Sequence, residues 1–233
     1  MNGRSYNQFC ALAYGLDVVG DRWTLLIIRE LLAGPRRFTD LIDGLPGIST
    51  NLLSERLKGL EQQGLVCRRV LPPPAGSTVY ELSPLGGALE TAVLELGKWG
   101  SQFLPPSLEG VALPSLGAMA LAIKAFFHPE QAQGIDEIYE LHLGNEVLQV
   151  WIEDGQLQAQ QGQLLRPDVV FYIDMHAFVG LFAGQIKPEQ AISAGLIHIE
   201  ADRIDDDRID YNLRALSRFL NLSGVPLSQK SEP

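Results

Sequence analysis

The 233 residues carry a formal charge of −10, two cysteines and 46% hydrophobic residues. That length suits two domains and that apolar content suits two cores, while two cysteines exclude a disulfide scaffold, lack zinc-site spacing and point to a reducing cytoplasm. The acidity argues against nucleic-acid binding only until it is located. Residues 1–105 hold ten Lys and Arg against ten Asp and Glu, and residues 106–233 hold eight against eighteen. A neutral half able to present a basic face therefore precedes an acidic half that a duplex would repel.

The first residues, Met1-Asn2-Gly3-Arg4-Ser5-Tyr6, lack the apolar core of a signal peptide. The longest greasy stretch, 111–123, contains Pro114 and Ser115 and is too short to span a bilayer. A cytoplasmic protein with no membrane partner is expected. Phe9, Leu12, Ala13, Leu16 and Val19 then fall at helical spacing until Gly20-Asp21 interrupts them, with Asp21 placed to cap a second helix. That helix, carrying Leu25, Leu26, Ile27, Ile28, Leu31 and Leu32, is apolar nearly all round and ends at Gly34-Pro35, so it is expected at the centre of the domain. Phe38, Leu41, Ile42 and Leu45 predict a short third helix, and Pro46-Gly47 a turn.

Ser49 is placed to cap a fourth helix whose Leu53, Leu57 and Leu60 share one face. Its opposite face carries Asn51, Glu55, Lys58 and Gln62, flanked by Thr50 and Ser54. Alone, this would read as an ordinary solvated surface, but a helix-turn-helix order makes it a candidate reader of base edges. Gly64 ends the helix, and residues 65–71 and 78–82 predict a hairpin around the tip 72–77. Arg68 and Arg69 near its base, with Arg36 and Arg37 before the third helix, would flank the reading helix with positive charge. The candidate DNA-binding set is therefore Arg36, Arg37, Ser49, Thr50, Asn51, Ser54, Lys58, Arg68 and Arg69. Ser83-Pro84 then starts a helix along which Leu85, Leu89, Ala92, Leu96, Trp99 and Phe103 make a seam, either for its own domain or for a second copy. A homodimer on a palindromic operator is the preferred reading.

From Cys10 to about Phe103 the chain resembles the HxlR family of winged helix-turn-helix regulators, relatives of the MarR group. The resemblance rests on Cys10, on residues 16–27, 37–41 and 45–49, and on Leu53-Ser54-Glu55-Arg56-Leu57, Leu60-Glu61, Gly64-Leu65-Val66 and residues 80–86. It implies a dimeric regulator that binds operator DNA through the helix after Ser49 and through the wing. Cys10 matches a cysteine that serves some members as a thiol sensor. A small buried hydrophobe is the competing role.

Pro105, Pro106, Ser107, Gly110 and Pro114 mark a joint. Beyond it Leu116, Met119, Ala120, Ile123 and Phe127 trace a helix, and 138–143, 147–152, 157–160 and 169–174 read as short strands separated by Gly144-Asn145, Asp154-Gly155 and Pro167-Asp168, as antiparallel hairpins are. Helices near 178–182 and 188–194, a strand at 196–200 and a last helix bearing Ile209, Leu213, Leu216 and Leu220 follow. Leu148-Gln149-Val150, Asp154-Gly155, Pro167-Asp168-Val169, Gly184, Ala191, Gly195 and Ile197-His198-Ile199 resemble the sterol carrier protein type 2 (SCP2) family over about 116–222, although Glu200-Ala201-Asp202 departs from its pattern. The resemblance implies an apolar compartment for a lipid, fatty acyl chain or sterol-like molecule. Phe126, Phe127, Phe171, Phe178, Leu181, Phe182, Ile192, Leu216, Phe219 and Leu220 could line it or simply be core.

No nucleophile elbow, Walker loop, HExxH or paired CxxC occurs, the four histidines are scattered, and Asp202, Asp205, Asp206 and Asp207 lack the glycine and glutamate of a calcium loop. Neither catalysis, nor a cofactor, nor a metal is expected. The expected class is α+β, with a winged helix-turn-helix domain over 1–105 and an SCP2-like antiparallel sheet with covering helices over 106–233. The runner-up function is a lipid carrier whose first half serves only for dimerisation.

Overall fold

The computed structural model describes residues 5–72, 76–163, 165–201 and 208–224, the last segment without side chains for 208–211. The middle of the expected wing tip, the four aspartates from Asp202 to Asp207 and the Ile209 side chain lie outside them. The chain divides into two compact units, Met1–Val93 and Leu94–Pro233. The expected boundary at 105/106 lies further along the chain.

In the first unit, α1 (Ala11–Val19) leads to α2 (Thr24–Leu32), β1 (Arg36–Arg37), α3 (Phe38–Gly44), α4 (Thr50–Gln62), β2 (Val66–Val70), β3 (Thr78–Leu82) and α5 (Pro84–Gly87), and α6 (Glu90–Gly100) starts here. Ile27, Ile28, Leu31, Leu41, Leu45, Leu53, Leu57 and Leu60 form one core, the three α4 leucines meeting it from spacings of four and three. The apolar stripe expected of α1 is split: Ala13 is buried and Val19 packs half-buried against the core, while Phe9, Leu12 and Leu16 are exposed. The single long helix expected from Leu85 is instead α5, α6 and a 3₁₀ turn over Ser101–Phe103, and no residue of α6 is buried. The three strands lie in the order β1-β3-β2, all antiparallel.

The second unit contains α7 (Leu116–Ala125), β4 (Glu137–Leu143), β5 (Glu146–Glu153), β6 (Gln156–Gln161), β7 (Val169–Ile173), α8 (Met175–Phe182), α9 (Pro188–Ser193), β8 (Ile197–Ala201) and α10 (Arg208–Ser223). The strands make one sheet in the order β6-β5-β4-β7-β8. Asp154 (φ 50°) and Gly155 (φ 71°) form the two-residue turn that joins β5 to β6, the pair of positive φ angles that an Asp-Gly hairpin supplies. The expectation of an antiparallel sheet needs one correction: β4 and β7 run parallel, with Tyr139 opposite Val169. Hydrophobic alternation marks a strand but not its direction, and a crossover between β6 and β7, not a tight turn, carries the chain from the β6 edge to the far side of β4. Gln149, fully buried, holds that crossover by accepting from the Leu165 N–H at 2.9 Å and donating to its carbonyl at 2.7 Å. Its amide also donates to Glu140 at 3.1 Å.

Candidate functional site

A capped helix with one side locked into the core builds the reading surface. Ser49, in extended backbone, accepts from the Leu52 N–H at 3.3 Å, and this cap fixes where α4 begins. With Leu53, Leu57 and Leu60 anchored in the core, helical geometry leaves Thr50, Asn51, Ser54, Glu55, Lys58 and Gln62 exposed. The structure thus brings Ser49, Thr50, Asn51, Ser54 and Lys58 together along one accessible side of α4.

The four arginines are less uniform. Strand register places Arg36 and Arg68 on either side of Tyr80, and Arg37 and Arg69 on either side of Val79. Directly opposed residues share a face, so the two rows point to opposite faces of the small sheet. Arg68 is exposed, lies over the Tyr80 ring at 5.5 Å and approaches Glu61 of α4 at 4.0 Å. Arg69 is committed to Glu81, with contacts of 2.9 and 3.1 Å from Nε and 2.9 Å from Nη2. The hydrogen bond and charge of Glu81 raise the Arg69 pKa further. Any phosphate at Arg69 must compete with that carboxylate, a contact that the pairing register reveals and the linear sequence hides. Arg37 is exposed and its N–H donates to Asp40 at 2.9 Å, so its backbone starts α3.

Asp21, expected to cap α2, does not do so: Trp23 holds the cap position without a side-chain cap hydrogen bond, and the Asp21 carboxylate instead binds Arg56 of α4 at 2.8 Å. The guanidinium of Arg22, which the sequence did not single out, lies 5.5 Å from the centre of the Trp23 ring. Deeper in, Arg29 and the buried Glu30 pair at 2.6 Å, and Arg29 reaches the Gly44 carbonyl at 3.4 Å. This pair fixes α3 to α2. Cys10 is half-buried and Cys67 exposed, and both are free thiols.

The residues expected around an apolar compartment converge, but on one another. Phe171, Phe178, Leu181, Phe182, Leu216 and Phe219 are buried, and Phe126, Phe127, Ile192 and Leu220 pack against them half-buried. Phe219 stands 5.0 Å from Tyr139, 5.6 Å from Phe171 and 6.3 Å from Phe178, centre to centre. Phe182 is within 6.1 Å of Phe126 and 6.2 Å of Phe178. This is the spacing of a filled aromatic core. Two open concavities on the domain are lined by other residues. One of about 340 Å³ has Arg214, Ser217, Arg218 and Asn221 of α10, and one of about 360 Å³ has His142, Tyr172 and Leu196. Among the described residues no group of His, Cys, Asp and Glu is placed to hold a metal ion, and no helix is long and apolar enough to cross a membrane.

A model of the SCP-2 sterol transfer family matches residues 123–203. A model of the HxlR-like helix-turn-helix family matches residues 18–108. Neither is an enzymatic family. The HTH-type transcriptional regulator YodB of Bacillus subtilis (strain 168) is 42% identical over 101 residues, which are 43% of this chain and 90% of YodB. The uncharacterized HTH-type transcriptional regulator YvaP of the same organism is 39% identical over 92 residues, 40% of this chain and 85% of YvaP. The solved structure of the reduced form of YodB aligns at 38% identity over 43% of this chain and 99% of its own, with a TM-score of 0.37. Buried leucines, a capped and exposed α4, a paired wing and relatives matched over most of their length meet in one assignment: the chain belongs to the HxlR-like helix-turn-helix family of transcriptional regulators.

Proposed function

We propose that the chain is a homodimeric regulator that binds a palindromic operator through residues 1–105 and answers to an apolar effector bound by residues 106–233. The observation that carries the DNA-binding part is the exposed row Asn51, Ser54 and Lys58 on a helix whose other side is locked into the core. Short polar side chains there fit base edges and phosphates, while Arg36, Arg37 and Arg68 supply the flanking charge. Such a protein works in the cytoplasm, where its operator is.

Dimerisation is supported by apolar surface that a monomer has no use for. Phe9, Leu12 and Tyr14 at α1, and Leu85, Trp99 and Phe103 along the run from α5 through α6, are each more than half exposed. Trp99 and Phe103 stack edge to face at 4.9 Å. Large apolar side chains left exposed, within either unit, mark protein contact surfaces.

The effector proposal rests on the SCP-2 match alone, and the filled aromatic core sets its condition. A ligand held by those aromatic residues must open that core; otherwise it sits elsewhere on the domain, or the domain serves only for assembly. A mobility-shift assay tests the first part: Arg68→Ala should weaken all duplexes alike and reduce the salt slope by roughly 0.9 for each phosphate it no longer neutralises. Asn51→Ala should instead blur discrimination between duplexes. Absence of sequence-preferring binding at moderate salt would favour the carrier reading. Native mass spectrometry of freshly purified protein reads the subunit count and any retained apolar molecule.

A further inference from the structure

Trp23, the residue before α2, stands at φ +80° and ψ −23°. A bulky side chain rarely tolerates the left-handed region, and such conformations persist where surrounding contacts impose them. The contacts are visible. The Trp23 side chain packs half-buried against the N-terminal core, and its Cη2 atom would lie 3.8 Å from a Cβ built on Gly47. Gly47, itself at φ +92°, stands two residues before the Ser49 cap of α4. On the other side of the same segment Asp21 binds Arg56, in the second turn of α4, at 2.8 Å. Residues 21–23 are therefore tied to the second turn of the reading helix by the Asp21–Arg56 pair, with the Trp23 ring facing Gly47 ahead of that helix.

Between Asp21 and Trp23 sits Arg22. Its side chain is exposed, and its guanidinium carbon lies 5.5 Å from the centre of the Trp23 ring. An aromatic platform restrains a guanidinium without consuming its N–H donors, which project in the guanidinium plane and match phosphate oxygens. Asp21, the neighbouring acid, is engaged by Arg56. We infer that Arg22 is a DNA-phosphate contact, held beside the start of α4 by Trp23, which acts as a positioning residue. This rests on the proposed DNA-binding role and adds to it a cation from outside the recognition helix and the wing.

The test uses the full chain and a random-sequence duplex, titrated between about 50 and 200 mM salt. Arg22→Ala should lower affinity several-fold and reduce the slope of log K against log salt by about 0.9 for each phosphate left unneutralised, or roughly 1.8 for a symmetric dimer. Arg22→Lys should restore the slope while leaving affinity below wild type, because an ammonium does not stack as a guanidinium does. Trp23→Phe should preserve part of the slope. On a defined duplex that the wild type binds in preference to random sequence, phosphate-ethylation interference should lose one interfering position per half-site in Arg22→Ala, whose thermal midpoint should be unchanged. A purely structural Arg22 would do the reverse, shifting the midpoint and leaving slope and interfering phosphates as in wild type, and that result overturns the inference. Should Arg68→Ala change the slope while Arg22→Ala does not, only this inference falls. Should wild type fail to retard the duplex at all, the DNA-binding reading falls with it.

Discussion

Phe219→Ala separates a filled core from a ligand compartment. Phe219 is 1% exposed and touches three rings, with Tyr139 5.0 Å, Phe171 5.6 Å and Phe178 6.3 Å away. Burying a phenylalanine side chain is worth about 1.5–3 kcal/mol, and each aromatic pair adds roughly 0.5–1.5 kcal/mol. Truncation inside a packed interior should therefore fall within, and toward the upper end of, the range of about 3–5 kcal/mol seen for large-to-small core changes. For a unit of this size that lowers the melting midpoint of the second unit by roughly 10 °C or more. The assay is thermal unfolding followed by near-ultraviolet circular dichroism, with urea unfolding as a check on the free energy. The void left behind is lined by aromatic and aliphatic side chains and should stay dry, so benzene should raise the variant's midpoint and leave wild type unmoved. A loss below about 1 kcal/mol would refute the reasoning. It would mean that Phe219 borders an open space in solution and that the described packing is not the resting state.

A Cβ placed on Gly86 would stand 2.2 Å from the Leu65 carbonyl oxygen, a backbone atom that cannot rotate away, so Gly86→Ala should destabilise the first unit by about 1–3 kcal/mol or more, read by urea unfolding. Glu81→Gln removes the carboxylate that grips Arg69 and should strengthen binding to any duplex several-fold while steepening its salt slope by up to about 0.9 per released arginine; unchanged affinity would remove Arg69 from the residues that touch DNA. Burial first, then the hydrogen bond and charge of Glu200, raise the Tyr172 pKa above that of an ordinary tyrosine. A raised pKa means the folded chain holds the phenolic proton more tightly than the unfolded one. The stabilisation is complete below pH 10 and is lost as pH rises through the folded value. Glu200→Ala should move the phenolate absorbance step of Tyr172 to lower pH.

The helical and strand periods of this chain are readable because they are repeated and bounded. Leu53, Leu57 and Leu60 with Ser49 in front leave one way to turn α4, and Asp154-Gly155 leaves one way to turn β5 into β6. Direction and partner are not readable. Nothing in Val169–Ile173 says that it lies parallel to β4, because that depends on a crossover held by a side chain, Gln149, sixteen residues away from Leu165. The same blindness affects the site. The alternation of Arg68 and Arg69 along β2 shows that they face opposite ways, but the neutralisation of Arg69 depends on Glu81 across the ladder. The stripes of α1 and α6 are legible as apolar and illegible as to what they cover, since periodicity reports a greasy face and not its occupant.

For the second unit, the ligand question turns on energy rather than pattern. An aromatic stripe reads alike whether it lines a cavity or fills one, and here it fills one. An effector that opens the core must offset the packing it disrupts. If admission displaces one ring of the Phe219 kind, at about 3–5 kcal/mol, a ligand must itself bury roughly 120–200 Å² of apolar surface at about 25 cal/mol per Å² before it gains anything. Regulation then comes only from whatever difference remains between the two DNA-binding states. Small apolar molecules below that area should leave operator affinity unchanged at any soluble concentration. A homologous series of longer chains should show a threshold length, then a graded effect of about 0.8 kcal/mol per added methylene until the opened space is full. A response that scales smoothly from the shortest member, with no threshold, would mean that no core has to be opened and that the effector sits elsewhere on the domain.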